Sequence, residues 1–284
     1  MTGRRGEKKS DRRVFASPHS DAPLITLLTD FGTTDYFVAA LKGVLLSSSP
    51  AARIVDISHS IPAQDVAAAA FTLLASYKSF PPGTIHVVVV DPGVGSPRRA
   101  IIVEAGEQIF IGPDNGSFSY IFERETAFQA FQLSDKELAP PASSTFHGRD
   151  LFAPVAALVA NGTEPGELGS LISDPVRLPL LEPAHLSNGN VKARILHIDH
   201  FGNCITNLTR DTLTPQMIEA GARLTLNGKT IKSFRRFFAE EGECERLFAV
   251  WGSAGFLELA ARNRSAAKIL NARSGQSVLL KTGK

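Results

Sequence analysis

Blocks of apolar residues alternate with helix-forming segments through the first part of the chain. Continuous apolar runs between turn residues predict strands buried on both faces, and amphipathic or Ala-rich stretches predict helices. The predicted strands are Leu24–Leu28, Arg53–Ile57 and Thr84–Val90, then a hairpin of Ala100–Glu104 and Gln108–Ile111. The predicted helices are Tyr36–Leu46, Asp65–Tyr77 and Leu151–Leu158. This alternation predicts an α/β domain with a central, mostly parallel sheet flanked by helices.

The pattern changes after about Leu181. Residues 181–190 are rich in turn formers and predict a linker. Short β-like segments follow, separated by turn signals at Asn227-Gly228 and Ser274-Gly275, and they predict a smaller all-β, barrel-like domain. These segments are Val191–Ile198, Ala222–Leu226, Arg246–Val250 and Ser277–Lys281. The predicted division is a disordered basic tail over 1–21, an α/β domain over 22–186 and a β-barrel domain over 187–284.

Composition and charge narrow the range of functions. The net charge is +2, which argues against an extended nucleic-acid footprint. Basic residues concentrate in the first 13 positions, where a disordered tail is favoured over an arm that binds nucleic acid or a membrane surface. No signal peptide and no membrane-spanning window is visible, so we expect a cytoplasmic protein without nucleic-acid or membrane partners. The two cysteines, Cys204 and Cys244, indicate no disulfide framework and no cysteine-based metal site.

Two Gly-rich turns carry the strongest candidate chemistry. Asp91 directly follows the third predicted strand, and Arg98 lies seven residues later. His147 stands before Gly148 and Asp150, where a glycine permits close approach and the acid could cap a following helix. Strand ends of this kind line the ligand crevice of an open α/β sheet. An Asp, an Arg and a His that meet there could hold and activate one small nucleophile.

For the other candidate positions, a purely structural role is an alternative to ligand binding. Asp30 follows the first strand, where an acid can accept both hydroxyls of a ribose, although Thr34 or Asp35 could instead cap the next helix. The turn formers of Gly112–Gly116 leave both a structural and a functional role open. Asn203 could read an adenine edge, with Phe201 or Phe238 stacked on the ring. From the residues alone, an ordinary turn with core aromatics explains this last group better.

A metal site is the less favoured alternative for the acidic positions. Their oxygen donors could in principle bind a cation with one imidazole, through Asp30, Asp35, Asp91, Asp114 and His147. However, no HxH, HExxH or DxD spacing is present. We therefore predict no metal.

Six motifs, in order along both domains, resemble the S-adenosylmethionine (SAM) hydroxide adenosyltransferase family, whose relatives are the fluorinases and chlorinases. The similarity runs from about Leu24 to the C-terminus. The motifs are Leu28-Thr-Asp-Phe-Gly-Thr-Thr-Asp35, Asp56-Ile-Ser-His-Ser-Ile-Pro62, Val90-Asp-Pro-Gly-Val-Gly95, Gly112-Pro-Asp-Asn-Gly116, Thr145-Phe-His-Gly-Arg-Asp150 and Asp199-His-Phe-Gly-Asn203.

The resemblance implies a homotrimer whose ligand lies between the α/β domain of one subunit and the β domain of the next. It also implies roles for individual residues. The water-binding triad maps onto Asp91, Arg98 and His147. The ribose-binding acid maps onto Asp30, and the adenine-reading Asn maps onto Asn203, with Phe201 and Phe238 nearby. The methionine end of the substrate maps onto Asp35, Ser253, Glu258, Ala261 and Asn263.

The reaction implied is hydrolysis of S-adenosyl-L-methionine to adenosine and L-methionine, with no cofactor. The halogenase branch differs where this chain has Asp91, Val94 and Gly148, and a carboxylate at 91 would repel a halide. The chain also departs from the family pattern at Gly252-Ser-Ala254, which concerns how the methionine carboxylate is held. A halogenase, a non-catalytic adenosine or SAM binder and a methyltransferase are the alternatives.

Overall fold

The computed structural model of the protein describes residues 22–134, 141–240 and 246–282, and the structural findings concern these residues. Seven strands form one sheet in the N-terminal domain. They are β1 Leu24–Thr29, β2 Arg53–Ser58, β3 Ile85–Val89, β4 Ala100–Ala105, β5 Gln108–Pro113, β6 Phe128–Leu133 and β7 Gly169–Ile172. Their spatial order is β2-β1-β3-β5-β4-β6-β7. The first four in this order are parallel neighbours, and β4, β6 and β7 add antiparallel pairs, which confirms the mostly parallel sheet and the β4–β5 hairpin.

Helices cover both faces of this sheet, as predicted. They are α1 Phe37–Ser48, α2 Val66–Ser76, α3 Ser119–Arg124, α4 Ala153–Ala160 and α5 Pro165–Leu168. One core cluster joins α2 and α3 to one face, and a second joins α1 and α4 to the other. Strand β3 serves both clusters, because Val88 packs in the first and Val87 and Val89 pack in the second. The continuous apolar run of β3 therefore reflects burial on both faces, as expected.

The helix predicted at Leu151–Leu158 is displaced and begins differently. One π-helical turn, Gly148–Phe152, leads into α4, which continues to Ala160. The sequence pattern did not predict α3, α5, β6 or β7. Helices α3 and α5 are 6 and 4 residues long, too short for a helical period to emerge from the sequence.

The C-terminal domain is a curled, mostly antiparallel β half-barrel of nine strands, consistent with the predicted barrel-like fold. The strands are β8 Ala184–His185, β9 Val191–Ile198, β10 Cys204–Thr206, β11 Arg223–Leu226, β12 Lys229–Ile231, β13 Phe234–Arg235, β14 Leu247–Trp251, β15 Leu257–Ala261 and β16 Ser277–Lys281. Two short helices, α6 Pro215–Glu219 and α7 Ala266–Leu270, complete it. Strand β15 was not predicted, because its sequence Leu-Glu-Leu-Ala-Ala contains Glu and two Ala, which are uncommon in strands, although all five residues are buried.

The two domains pack against each other within the chain. Leu196, Ile205 and Phe256 of the β domain belong to the same core cluster as Phe71 of α2. The ring of His197 also stacks on Phe71 at 5.1 Å between centroids. The predicted linker contains β8, which pairs with β9. The domain boundaries remain a prediction, and the basic tail over 1–21 lies outside the described residues.

Two further sequence expectations can be compared with the structure. No helix among the described residues combines the length and apolarity that a bilayer crossing requires. Cys204 is a buried free thiol, and burial together with Asp199 raises its pKa to about 12, so it carries no thiolate at neutral pH. Cys244 lies outside the described residues.

Gly112 should be intolerant of any side chain. A Cβ there would overlap the carbonyl oxygen of Val88 in the neighbouring strand, so we expect Gly112→Ala to lower the free energy of unfolding by about 1–3 kcal/mol. Gly43, inside α1, is the matched control because a Cβ there meets nothing within 4 Å. Gly43→Ala should stabilise by ~0.5–1 kcal/mol, since alanine favours helix. Urea denaturation measures both, and equal effects would contradict the close strand approach.

Candidate active site

Asp91, Arg98 and His147 form a continuous chain of contacts. Arg98 Nε donates to both carboxylate oxygens of Asp91, at 2.8 and 2.9 Å, and Nη2 also contacts Oδ2. The same Nη2 donates to His147 Nδ1 at 2.9 Å. Arg98 and Asp91 side chains are only 12% and 5% exposed, and the guanidinium lies over the Phe152 ring. The structure therefore brings together the three residues that the two Gly-rich turns supply.

A glycine allows the two turns to approach. Gly95, in the turn after Asp91, has a φ of +78°, and a Cβ there would lie 2.5 Å from the carbonyl oxygen of Ser144. Ser144 belongs to the segment that carries His147. A side chain at position 95 would thus separate the two halves of the triad.

The surroundings of Gly148 and Asp150 differ from the expectation. The position of a Cβ on Gly148 would be 3.1 Å from the Phe31 ring and 3.3 Å from the Phe146 ring, so this glycine accommodates aromatic side chains. Asp150 pairs with the guanidinium of Arg149 at 2.6 and 2.9 Å, and it does not cap a helix. This ion pair contributes, together with a backbone hydrogen bond, to a lowered pKa of Asp150.

His147 is held as a neutral ring. An arginine can only donate, so Nδ1 is an acceptor and the ring proton is on Nε2. Burial lowers the pKa of His147, and the Arg98 charge lowers it further, against opposing contributions from Asp91 and Asp150. The triad thus presents a carboxylate, a guanidinium and a neutral imidazole N–H, a set that can orient water and accept one proton on Asp91.

Asp30 lies on the loop after β1. One carboxylate oxygen accepts from the backbone N–H of Gln64 at 2.8 Å, and the loop is fixed by a 2.7 Å bond from the Gly32 N–H to the His59 carbonyl. Asp35 is exposed. Helix α1 begins after Tyr36 without a side-chain cap, so neither Thr34 nor Asp35 has the capping role considered above.

A pocket of about 710 Å³ opens on the C-terminal domain. It collects five of the residues named from the sequence: Phe201, Asn203, Phe238, Ala261 and Asn263. Sequence reasoning missed the rest of its lining: Ala239, Phe248, Arg262, Arg264 and Ser265. Asn263 has a φ of +53°, and its two flanking arginines gave a turn-and-charge signal that could have pointed to them.

The side chain of Asn203 is oriented by Asp199. Asn203 Nδ2 donates to Asp199 Oδ2 at 2.8 Å, and its backbone N–H donates to Oδ1 at 2.8 Å. This bond uses one N–H of the Asn203 amide, and the amide oxygen with the other N–H is the kind of pair that can recognise an adenine edge. Phe201, at the mouth of the pocket, is 75% exposed, so its ring can accept a stacking partner.

Ser253 and Glu258 are not among the residues that line this pocket. Ser253 is exposed. Glu258 is buried in β15, where burial and the nearby Asp199 raise its pKa to about 7. Their predicted contacts with the methionine end of a substrate remain a prediction.

The candidate residues form two separate groups within one chain. The triad and Asp30 lie at the ends of strands and loops of the N-terminal domain, whereas the described lining of the pocket comes from the C-terminal domain alone. Across the described ranges, no three His, Cys, Asp or Glu side chains are grouped as metal ligands. The geometry thus offers a nucleophile-holding half-site and an aromatic, amide-bearing half-site.

Models of one protein family match both the N-terminal and the C-terminal domain of the chain. Residues 25–169 match the N-terminal domain of SAM hydroxide adenosyltransferases, and residues 193–279 match their C-terminal domain. The chain belongs to this family. A relative from Thermus thermophilus named (R)-S-adenosyl-L-methionine hydrolase is 36% identical over 90% of this chain and 98% of its own.

A solved structure and a fluorinase are also similar to this chain. The crystal structure of an uncharacterized conserved protein from Thermotoga maritima superposes with a TM-score of 0.82 and 31% identity, over 90% of this chain and 99% of that one. A fluorinase from Nocardia brasiliensis is 28% identical, over 92% of this chain and 97% of its own. The family scaffold is therefore shared by proteins named for different reactions.

The contact between Arg98 and His147 should be measurable in solution. We expect Arg98→Met to raise the pKa of His147, because the variant removes a nearby positive charge and leaves Asp91 to favour the charged ring. An NMR titration of the imidazole signals measures this pKa. Arg53→Met, at an exposed position, should leave it unchanged. A His147 pKa that stays the same or falls in Arg98→Met would contradict the contact.

Proposed function

We propose that the protein hydrolyses S-adenosyl-L-methionine to adenosine and L-methionine. The observation that carries this proposal is the Asp91–Arg98–His147 contact chain in a scaffold of the SAM hydroxide adenosyltransferase family. Relatives named SAM hydrolase are more similar to the chain than the fluorinases are. The enzyme is a hydrolase.

The reaction is an in-line displacement at the ribose C5′. The oxygen of water attacks C5′, the C5′–S bond breaks, and its electron pair goes to sulfur, which leaves as the neutral thioether of methionine. The water proton goes to Asp91, the basic group next to Arg98, while the guanidinium stabilises hydroxide character and the His147 N–H orients the oxygen. Since a neutral thioether needs no protonation, the reaction requires no general acid, and we propose that it uses no cofactor or metal.

Substrate positioning is assigned to the remaining residues. Asp30 has a carboxylate oxygen beyond its bond to Gln64 and would accept the ribose hydroxyls. Asn203 would read the adenine edge, with Phe201 and Phe238 stacked against the ring. The methionine end would contact the remaining set, which is Asp35, Ser253, Glu258, Ala261 and Asn263. Fixing the ribose relative to the water can contribute on the order of 7–11 kcal/mol.

We also propose a homotrimer with active sites at its subunit interfaces. The support is that each chain holds the triad and the aromatic pocket in different domains, and that Phe201 and Tyr36 are 75% and 66% exposed in the single chain. A heterologous contact that closes into a ring would unite the two half-sites.

A halogenase is the alternative that the more distant fluorinase relatives raise. It is disfavoured because Asp91 presents a carboxylate where a halide would have to bind. The same experiment distinguishes this alternative from a non-catalytic binder and from a methyltransferase.

Purified protein incubated with SAM and chloride in H₂¹⁸O should yield adenosine with ¹⁸O at its 5′-hydroxyl, and methionine. Asp91→Ala should slow the formation of adenosine on the order of 100-fold, because the proton acceptor is lost. Liquid chromatography with mass spectrometry identifies the nucleoside. A 5′-chloro product would indicate the halogenase, S-adenosylhomocysteine a methyltransferase, and unchanged SAM a binder.

Interface sites predict complementation between two defective subunits. Asp91→Ala impairs the N-terminal half-site and Asn203→Ala the C-terminal one, so each homotrimer should be weakly active at low SAM. Trimers assembled by co-expression should recover about a quarter of wild-type activity, since three-quarters are mixed and each mixed ring has one intact site. Activity equal to the mean of the two variants alone would place each site within one chain.

A further inference from the structure

The loop Gly112–Gly116 has no part in the chemistry described above, yet it contacts both ends of the turn that carries Asp91 and Arg98. It begins in the last two residues of β5 and runs beside the end of β3 and the start of β4. None of its residues lines the aromatic pocket. Two adjacent side chains of this loop, Asp114 and Asn115, make contacts that explain its position.

Asn115 holds the upstream end of the turn. Its Nδ2 donates to the carbonyl oxygen of Val90 at 2.8 Å, and Val90 is the fully buried residue just before Asp91. Its Oδ1 accepts from the Ser117 hydroxyl at 2.7 Å and from the Ser117 N–H at 3.2 Å. Both ends of the amide are therefore engaged, which fixes the direction in which Nδ2 points.

Asp114 holds the downstream end. Its buried carboxylate accepts from Arg99 Nε at 2.7 Å, and Arg99 directly follows Arg98. The other carboxylate oxygen accepts from the Val176 N–H at 2.8 Å, and the Asp114 N–H donates to the Arg99 carbonyl at 3.0 Å. Arg99 is thus held through both its backbone and its side chain.

Apart from the direct contact between Arg98 and Asp91, the turn makes few hydrogen bonds of its own. Residues 94–97 are exposed, and the internal backbone bonds run from Val94 to Asp91 at 3.2 Å and from Ser96 to Gly93 at 3.0 Å. The geometry of Asp91 relative to Arg98 therefore depends on their own contact and on how the two ends of the turn are held.

We propose that Asn115 and Asp114 are positioning residues that clamp the two ends of the Asp91–Arg98 turn and so set the geometry of the triad before substrate binds. The inference rests on the proposed hydrolysis for its kinetic consequence. A displacement of about 1 Å at such a site can cost on the order of 100-fold in rate, which is the scale of effect at stake.

The test compares Asn115→Ala and Asn115→Asp with wild type. Asp at 115 keeps the oxygen that accepts from Ser117 but cannot donate to Val90. This variant therefore tests the bond to Val90 separately from the bonds to Ser117. Both variants should lose kcat by about 10–100-fold, with KM for SAM and Kd for adenosine within about twofold. Asp114→Asn should change the same parameters in the same direction. Asn188→Ala is the matched control, because Asn188 makes a similar turn bond, to the Asn190 N–H, on a remote surface.

Two readouts go beyond catalytic rate. Hydrogen–deuterium exchange in the peptide over residues 91–99 should speed up in both Asn115 variants, with global melting near that of wild type. The pKa of His147, followed by NMR titration, should rise in both variants, since a looser Arg98 lowers that pKa less.

Each outcome supports or contradicts the proposed positioning role of Asn115 and Asp114. Faster exchange with reduced kcat in both variants supports it. Unchanged exchange, or an Asn115→Asp variant with wild-type kcat, overturns it, because the Val90 bond would then be dispensable. A wild-type protein that forms no adenosine would overturn the proposed function instead, and the exchange measurement would still decide whether the clamp exists.

Discussion

The bidentate contact between Arg98 and Asp91, extended to His147, is the interaction on which the rest of the site depends. Both charged side chains are largely removed from water, and burying such a pair is at best neutral for stability. The contact instead determines the geometry and the charge distribution of the site. It fixes the carboxylate and, together with burial, lowers the pKa of His147. In the proposed mechanism, it also places the guanidinium beside the nucleophile as that group gains negative charge.

The scaffold explains how this contact is held. Strand β3 is buried on both faces and parallel to β1 and β5, so Asp91 leaves the sheet from its best-supported strand. The close approach of β5 at Gly112 brings the Asp114–Asn115 dipeptide to the end of β3. The turn from Asp91 to Arg98 is exposed in its middle, but both of its ends are held by hydrogen bonds.

The division of the candidate site between two domains bears on how the family can vary its chemistry. We assign the nucleophile to the α/β domain and the nucleoside to the pocket of the β domain. In the proposed mechanism, a change at the triad alters what attacks C5′ without altering how adenosine is held. A scaffold shared by proteins named hydrolase and fluorinase is consistent with this separation.

The sequence by itself determined the long, strongly patterned elements, such as β1, β3 and α2, and the set of chemical groups on their turns. Its ordered motifs also indicated the family. Helix α3 and strand β10 were not predicted, because α3 is shorter than two helical turns and β10 has only three residues. Only the tertiary structure decided that Arg98 donates to His147 and that Asn115 reaches Val90. These contacts join residues 49 and 25 positions apart, and the direction of a side chain across such a distance depends on how strands and loops pack, which no local pattern encodes.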